Sequence, residues 1–242
     1  MLRSSGALVA TSAVLAACGS STPSIARIGE SPTMVKLEDL AVTDVALLRT
    51  AMSMETMAAA MLSDSAVTSL ASKDSAPVIA AFAAGHTSHL EDLRGLITAR
   101  NGEPYSETNA KLMRAYGQTA LDLVASGKLP EDTLALTLAV EALVASTYQY
   151  FVSLTAEPAL RAGMVRLGGQ SSRRAAIAAQ LINGGTVGFA PALDKDGVAL
   201  VATLPNTFGS LSTVQVKLGP PNEVGSRTTV LMDTPSLNSL IY

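Results

Sequence analysis

The chain reads as an all-α helical bundle followed by a small extended, β-containing C-terminal segment, and three observations carry that reading. Apolar residues recur at steps of three and four through several long stretches, as they do in helices with one buried face. Capping and stopping residues bound those stretches. The longest reach about 25 residues, roughly 37 Å of helix, the proportion of a bundle rather than of a compact α/β domain. After Gly185 the helical period is lost, and residues 186–242 contain Gly, Pro, Thr, Asn and Val in its place.

The chain opens Met1-Leu2-Arg3, runs through a weakly polar to apolar stretch from Ala7 to Ala17, and reaches Leu15-Ala16-Ala17-Cys18. That order is an export signal rather than a structural helix. Leu-Ala-Ala-Cys resembles a bacterial lipobox, in which the signal is cut before the cysteine and the cysteine is lipidated. All four positions fit, and Cys18 is the sole cysteine. The alternative is an ordinary signal peptide cut near Ala17 that leaves a free thiol. The lipobox implies a signal peptide at 1–17 and a lipidated cysteine with a flexible tether at 18–36, which Gly19-Ser20-Ser21-Thr22-Pro23-Ser24 suits. It also implies an exported protein anchored to the bacterial membrane by lipid, facing the periplasm or the cell surface.

Composition narrows the remainder. With its one cysteine used as an anchor the fold has no disulfide, and stability must come from packing. Cleavage would leave 225 of the 242 residues, enough for one large domain or a domain with an appendage. A net charge of −3 without a basic block offers no electrostatic footprint for nucleic acid. No later run approaches the roughly 18 consecutive apolar residues of a spanning helix.

The helical body occupies 37–184. The first helix is predicted at about 38–64. The second, at about 76–101, is introduced by Asp74-Ser75 as a cap with Pro77 in its first turn, and is closed by Asn101-Gly102. A third at about 106–126 has Ser106 as cap and Gly127 as stop. The fourth starts at Pro130, carries Glu131 and Asp132 where the helix dipole favours acids, and runs to about Leu154. The fifth begins near Pro158 and ends before Asn183-Gly184-Gly185, although Gly163, Gly168 and Gly169 each weaken it. Within 185–242, Thr213–Leu218 and Arg227–Met232 alternate as two short strands, with Gly219–Gly225 as their turn. An isolated hairpin is marginal in water, so this segment should pack on the helices or on a partner.

Chemistry is concentrated on three helical seams. The only two histidines fall on the apolar seam Ile79, Phe82, His86, His89, Leu93, Leu96. Glu55 interrupts the seam Val45, Leu48, Met52, Ala59, Leu62, and Glu141 interrupts the seam Leu134, Leu138, Ala145, Tyr148, Val152. Three helices thus direct ionisable groups to one interior, and neutral imidazole is a good metal ligand. A second reading stays open, in which the histidines are core residues bonded to backbone or side chains. A rotation of the first helix by about 100°, one residue's turn, would bring Glu55 to the surface.

This arrangement resembles the ferritin-like superfamily, and more closely the bacterial ferritin-like domain proteins found among exported proteins. That family carries a glutamate on the first bundle helix, Glu-x-x-His on the second, a glutamate on the third and Glu-x-x-His on the fourth, which together close a two-metal site. Glu55 matches the first position. His86-Thr87-Ser88-His89 matches the second with histidine in place of glutamate. Glu141 matches the third, and Gln170-Ser171-Ser172-Arg173 falls on the fourth with both ligand types lost. The resemblance covers about 38–183 and implies a ferritin-like four-helix bundle whose third predicted helix is the crossover between two halves. The C-terminal stretch from Thr234 to Tyr242 is also similar to the tails of such proteins.

The departures limit what the resemblance carries. Both bridging positions, His86 and Gln170, are neutral side chains, so a standard di-iron oxidase site is incomplete and the chain reads more as a binding protein than an enzyme. Glu55, His86, His89 and Glu141 remain, a set able to hold a single divalent ion such as Fe, Mn or Zn, for metal handling or stress protection at the cell envelope. The competing reading is a metal-free, degenerate scaffold acting as a structural or protein-interaction lipoprotein. There Arg173 or Arg174 reaches inward and neutralises Glu55 and Glu141 in place of a metal. Both arginines outward would favour metal; an Arg–Glu pair inside would favour the scaffold. Gln170 and Tyr148 are cavity-lining candidates. A monomer or dimer is expected, with an envelope protein as candidate partner. The nine methionines read as gap-fillers, and with two histidines and no nucleophile elbow there is no hydrolase triad.

Overall fold

The computed structural model describes residues 42–155, 157–184, 192–200 and 213–240; the export signal, Cys18 and the tether lie outside the described residues. The described residues are mostly helical. In order it forms α1 (Asp44–Ser63), α2 (Ser65–Thr68), α3 (Ala76–Thr98), α4 (Ala110–Leu112), α5 (Gln118–Gly127), α6 (Pro130–Leu154) and α7 (Pro158–Asn183). A π-helical turn, Met113–Gly117, joins α4 to α5. Strands β1 (Ala192–Leu193), β2 (Ala199–Leu200), β3 (Thr213–Leu218) and β4 (Thr228–Asp233) make two antiparallel hairpins.

Local chemistry explains where the helices begin and end. α1 starts at Asp44, where the Thr43 side chain accepts the Ala46 N–H at 3.2 Å and caps the helix; the expected start near 38 lies outside the described residues. α3 starts at the predicted place with Pro77 in its first turn, but Ser75 does not cap it; its hydroxyl lies 2.9 Å from Ser72 Oγ. At the other end Asn101 takes a left-handed φ of 56°. Its N–H bonds to Thr98 and that of Gly102 to Ile97, the paired bonds of a Schellman stop. The next helical run begins at Ala110 instead of 106, since Asn109, not Ser106, is its cap: Oδ1 accepts the Leu112 N–H at 3.1 Å. The same side chain donates to Ser53 Oγ (3.0 Å) and Ser239 Oγ (2.7 Å), tying α1 and the C-terminal segment to this cap. Gly127 is the last helical residue, and Lys128 adopts the left-handed conformation.

α6 and α7 run over the predicted spans, and α7 holds despite its glycines. Gly168 is required there: a Cβ at this position would come within 2.7 Å of the Tyr148 Cβ, so its absence lets α7 lie close against α6. α1 packs on α3 and on α6, and α6 packs on α7. α1 and α6 are each long and apolar enough to cross a membrane by length and composition. In this fold much of that apolar surface is core, and Leu47, Leu48, Met52, Met54, Met57, Leu62, Leu136, Val140 and Leu143 are buried. The methionines of α1 fill space between helices.

The C-terminal hairpin packs on the helices. β3 pairs with β4 in the register Val216 with Val230. Alternation sends Val214, Val216, Leu218, Val230 and Met232 to a buried face, against α5 and α6. β4 lies one residue later than the alternation alone predicts. The turn is organised by Asn222, whose Oδ1 accepts the N–H groups of Val224 (3.1 Å) and Ser226 (2.8 Å). The two-residue strands β1 and β2 escaped the sequence reading because so short a segment carries no alternation.

Asp132 does more than face the helix dipole. It is fully buried, accepts the Gly219 N–H at 2.9 Å through Oδ2, and accepts from Arg227 Nη2 through Oδ1, while Arg227 Nε donates to the Gly219 carbonyl at 2.9 Å. This ring of bonds fastens the hairpin to the start of α6. Arg227→Ala should therefore lower the unfolding free energy by about 2 kcal/mol, below the roughly 3–5 kcal/mol of a fully buried pair, because the guanidinium side chain is 25 % exposed. Amide exchange in β3 and β4 should accelerate selectively; unchanged protection there would mean that the apolar face alone holds the hairpin.

Candidate metal centre

Four helices each supply a side chain to one interior site. Glu55 comes from α1, His86 and His89 from α3, Glu141 and Tyr148 from α6, and Gln170 and Arg174 from α7. Glu55, His86, His89, Glu141 and Tyr148 are all buried, so the seam positions read from the sequence point inward and Glu55 does not rotate to the surface. Helical geometry explains the convergence: His86 and His89, three apart, share a face of α3, while Glu141 and Tyr148, two turns apart, share a face of α6.

Glu55 is the hub. Its Oε2 lies 2.5 Å from His86 Nδ1, and its Oε1 lies 3.0 Å from His89 Nδ1 and accepts the Tyr148 hydroxyl at 2.7 Å. Both histidines thus present Nδ1 to the same carboxylate. Their outer nitrogens also meet acceptor atoms: His86 Nε2 lies 3.0 Å from Glu141 Oε1, and His89 Nε2 lies 3.0 Å from Gln170 Oε1. The two rings are nearly perpendicular, at 82°, which lets them approach the two oxygens of one carboxylate from different directions.

Protons hold this network together. Burial opposes ionisation of Glu55, but hydrogen bonds and charge from His86, and then His89, more than offset it and hold the carboxyl at about 2. Burial likewise opposes a charged His86, yet its bonds to Glu141 and Glu55 raise it to about 9. An imidazole with a carboxylate at each nitrogen satisfies both only when it donates from both. Burial, and then the adjacent Glu55 carboxylate, pushes the Tyr148 phenol well above its ordinary value, so it stays a donor.

Three of the four expected ligands form a compact group. Glu55, His86 and His89 each offer a ligand atom within 4.8 Å of the others, and this buried set can hold a metal ion. Glu141 stands behind His86, since the two nitrogens of an imidazole point apart and the one facing Glu141 is not the one facing Glu55. Glu141 Oε2 is buried and has no hydrogen-bond partner among the described residues. Its cationic neighbour is Arg174, with Nη1 3.9 Å away. Of the two arginines considered, Arg174 turns inward, with its side chain 12 % exposed, and Arg173 is exposed. Tyr148 also lines a cleft of about 340 Å³ between α6 and α7, with Gln149, Val152, Met164, Gly168 and Ser172, while the residue itself stays fully buried.

The site's donor set fits a divalent ion of borderline character: two imidazoles and a carboxylate, with a carboxylate behind one imidazole and a carboxamide behind the other. Comparison with known protein families, with characterised proteins and with solved structures finds no match to any of them.

The proton network makes the metal-free protein pH-sensitive. His86 is raised, so its contribution to stability is complete below about 6.5 and is lost as pH climbs through about 9; Glu55 is depressed, so its contribution is complete above about 4.5 and is lost as pH falls through about 2. In EDTA the melting temperature should be highest between those windows and fall on both sides. His86→Ala should remove the alkaline decline. A wild-type profile that is level from 6.5 to 9 would show that His86 is not held as an imidazolium.

Proposed function

We propose that the chain is a lipid-anchored envelope protein of ferritin-like architecture that binds one divalent metal ion through Glu55, His86 and His89. One observation carries the metal reading: both histidines turn Nδ1 toward Glu55 while each Nε2 faces an outer acceptor, Glu141 Oε1 or Gln170 Oε1. A histidine that donates its outer N–H to such an acceptor has the other nitrogen's lone pair free for a metal, and the outer partner fixes both tautomer and ring direction. Glu55 would ligate beside the two Nδ1 atoms, and Tyr148 would continue to donate to it. The ion would supply positive charge where protons otherwise sit, so loading releases protons and strengthens as pH rises. Metal handling or stress protection at the envelope is the role that a binding site of this kind suits.

The architecture rests on α1, α3, α6 and α7 as the four bundle helices, with the segment from α4 to α5 as the crossover between halves. The packing of α1 on α3 and of α6 on α7 supports it. The anchor rests on Leu15-Ala16-Ala17-Cys18 alone; detergent-phase partitioning of the full chain should be lost in Cys18→Ser if the cysteine carries lipid.

One observation favours the second reading, a metal-free scaffold for an envelope partner. Arg174 is the inward arginine that reading requires, although at 3.9 Å from Glu141 it is not hydrogen-bonded to it. Elemental analysis separates the two. Residues 19–242, dialysed after exposure to Fe, Mn or Zn separately, should retain about one ion per chain, and His86→Ala/His89→Ala should retain none. Retention of no ion by a stably helical wild type would leave the scaffold as the reading.

A further inference from the structure

Arg174 is held beside the site by an unusual seat. A Cβ at Gly85 would lie 2.6 Å from Arg174 Cζ and closer still to Nη2, so a side chain on α3 at this position would force the guanidinium to shift from its seat. Gly85 precedes His89 by four residues, one helical turn, and adjoins His86, which puts the notch on the ligand-bearing stretch of α3. From it Arg174 Nη2 reaches to 3.5 Å from His89 Nε2, and Nη1 to 3.9 Å from Glu141 Oε2. Neither contact is a good hydrogen bond. Nη1 and Glu141 Oε2 are both buried without hydrogen-bond partners among the described residues.

Two consequences follow for an incoming cation. The guanidinium carries a fixed positive charge and neutralises Glu141, the carboxylate that supports His86. It is also a donor aimed at His89 Nε2, the nitrogen whose other neighbour, Gln170 Oε1 at 3.0 Å, is an acceptor. Gln170 favours the tautomer with the proton on Nε2 and a lone pair on Nδ1. Arg174 favours the opposite one, in which Nδ1 carries the proton and faces Glu55.

Resting on the metal reading, we infer that Arg174, seated over Gly85, is an internal competitor of the ion: it sets the affinity of the site and withdraws from the notch when metal binds. Its long, poorly bonded contacts suit a group that exchanges. A purely structural arginine would be expected to close a hydrogen-bonded pair with Glu141.

The test uses Co²⁺ titrated into residues 19–242 at fixed pH, followed by its d–d absorption, with wild type, Arg174→Met, Gly85→Ala and the double variant. Arg174→Met should bind Co²⁺ at least about tenfold more tightly. Gly85→Ala, which leaves every ligand in place, should tighten binding in the same direction, and the double variant should add little, because both changes empty one seat. In EDTA the melting temperature of Arg174→Met should fall, and added Co²⁺ should raise it by more than in wild type. Circular dichroism establishes that each variant is folded, and Arg174→Gln, which keeps size without charge, serves if methionine is not tolerated. Wild type and folded variants binding within twofold of one another would overturn the inference and leave the metal reading standing. No Co²⁺ retained by any of them would overturn both. Binding by the variants alone would support the competitor in its strongest form.

Discussion

The structure depends on one constraint: Glu55 and Glu141 are buried in the middle of helices that otherwise supply the core, and ionised groups removed from water must be satisfied locally. Glu55 meets this with three polar partners, His86, His89 and the donating hydroxyl of Tyr148, from two other helices. That requirement fixes the mutual register of α1, α3 and α6 more tightly than apolar packing would, because a leucine tolerates a shift of several tenths of an ångström and a charged hydrogen bond does not. α1 and α6 each carry a buried acid and surround it with Leu, Met, Ala and Val.

The fourth helix is held differently. α7 approaches α6 closely at Gly168, contributes Gln170 to His89, and sends Arg174 toward Glu141 and His89. On the solvent side Arg166 pairs with Asp92 and Arg100 with Glu157, linking α7 and the residue before it to α3 and its end. Such exposed pairs contribute little energy individually, so the site side of α7 is held by packing and by polar contacts of uneven quality. Glu55 is bonded through both oxygens, whereas one oxygen of Glu141 and one nitrogen of Arg174 have no hydrogen-bond partner among the described residues. An unevenly satisfied buried network is costly as pure structure.

Outside the helices the same logic recurs on a smaller scale. A two-stranded hairpin has too little core of its own, and β3–β4 gains one by laying its apolar face on α5 and α6. Its position is specified by polar groups: Asp132 to Gly219 and Arg227, and Asn109 joining Ser53 to Ser239. Tyr116 donates to the Asp233 carbonyl at 3.0 Å and adds a further tie at the end of β4.

The sequence by itself determined the helical character, the ends of α6 and α7, the hairpin, and the inward direction of Glu55, His86, His89, Glu141 and Tyr148, because periodicity, capping and alternation are local and each is written within one or two turns of chain. Tertiary structure decided what those residues do together. It placed Glu141 behind His86 instead of beside Glu55 and His89, turned Arg174 in and left Arg173 out, gave Gly85 the task of seating a guanidinium, and converted Asp132 from a dipole-facing acid into the anchor of the hairpin. These outcomes depend on which groups from distant segments meet, on the two opposed nitrogens of an imidazole, and on the room left by a missing Cβ, none of which has a period along the chain.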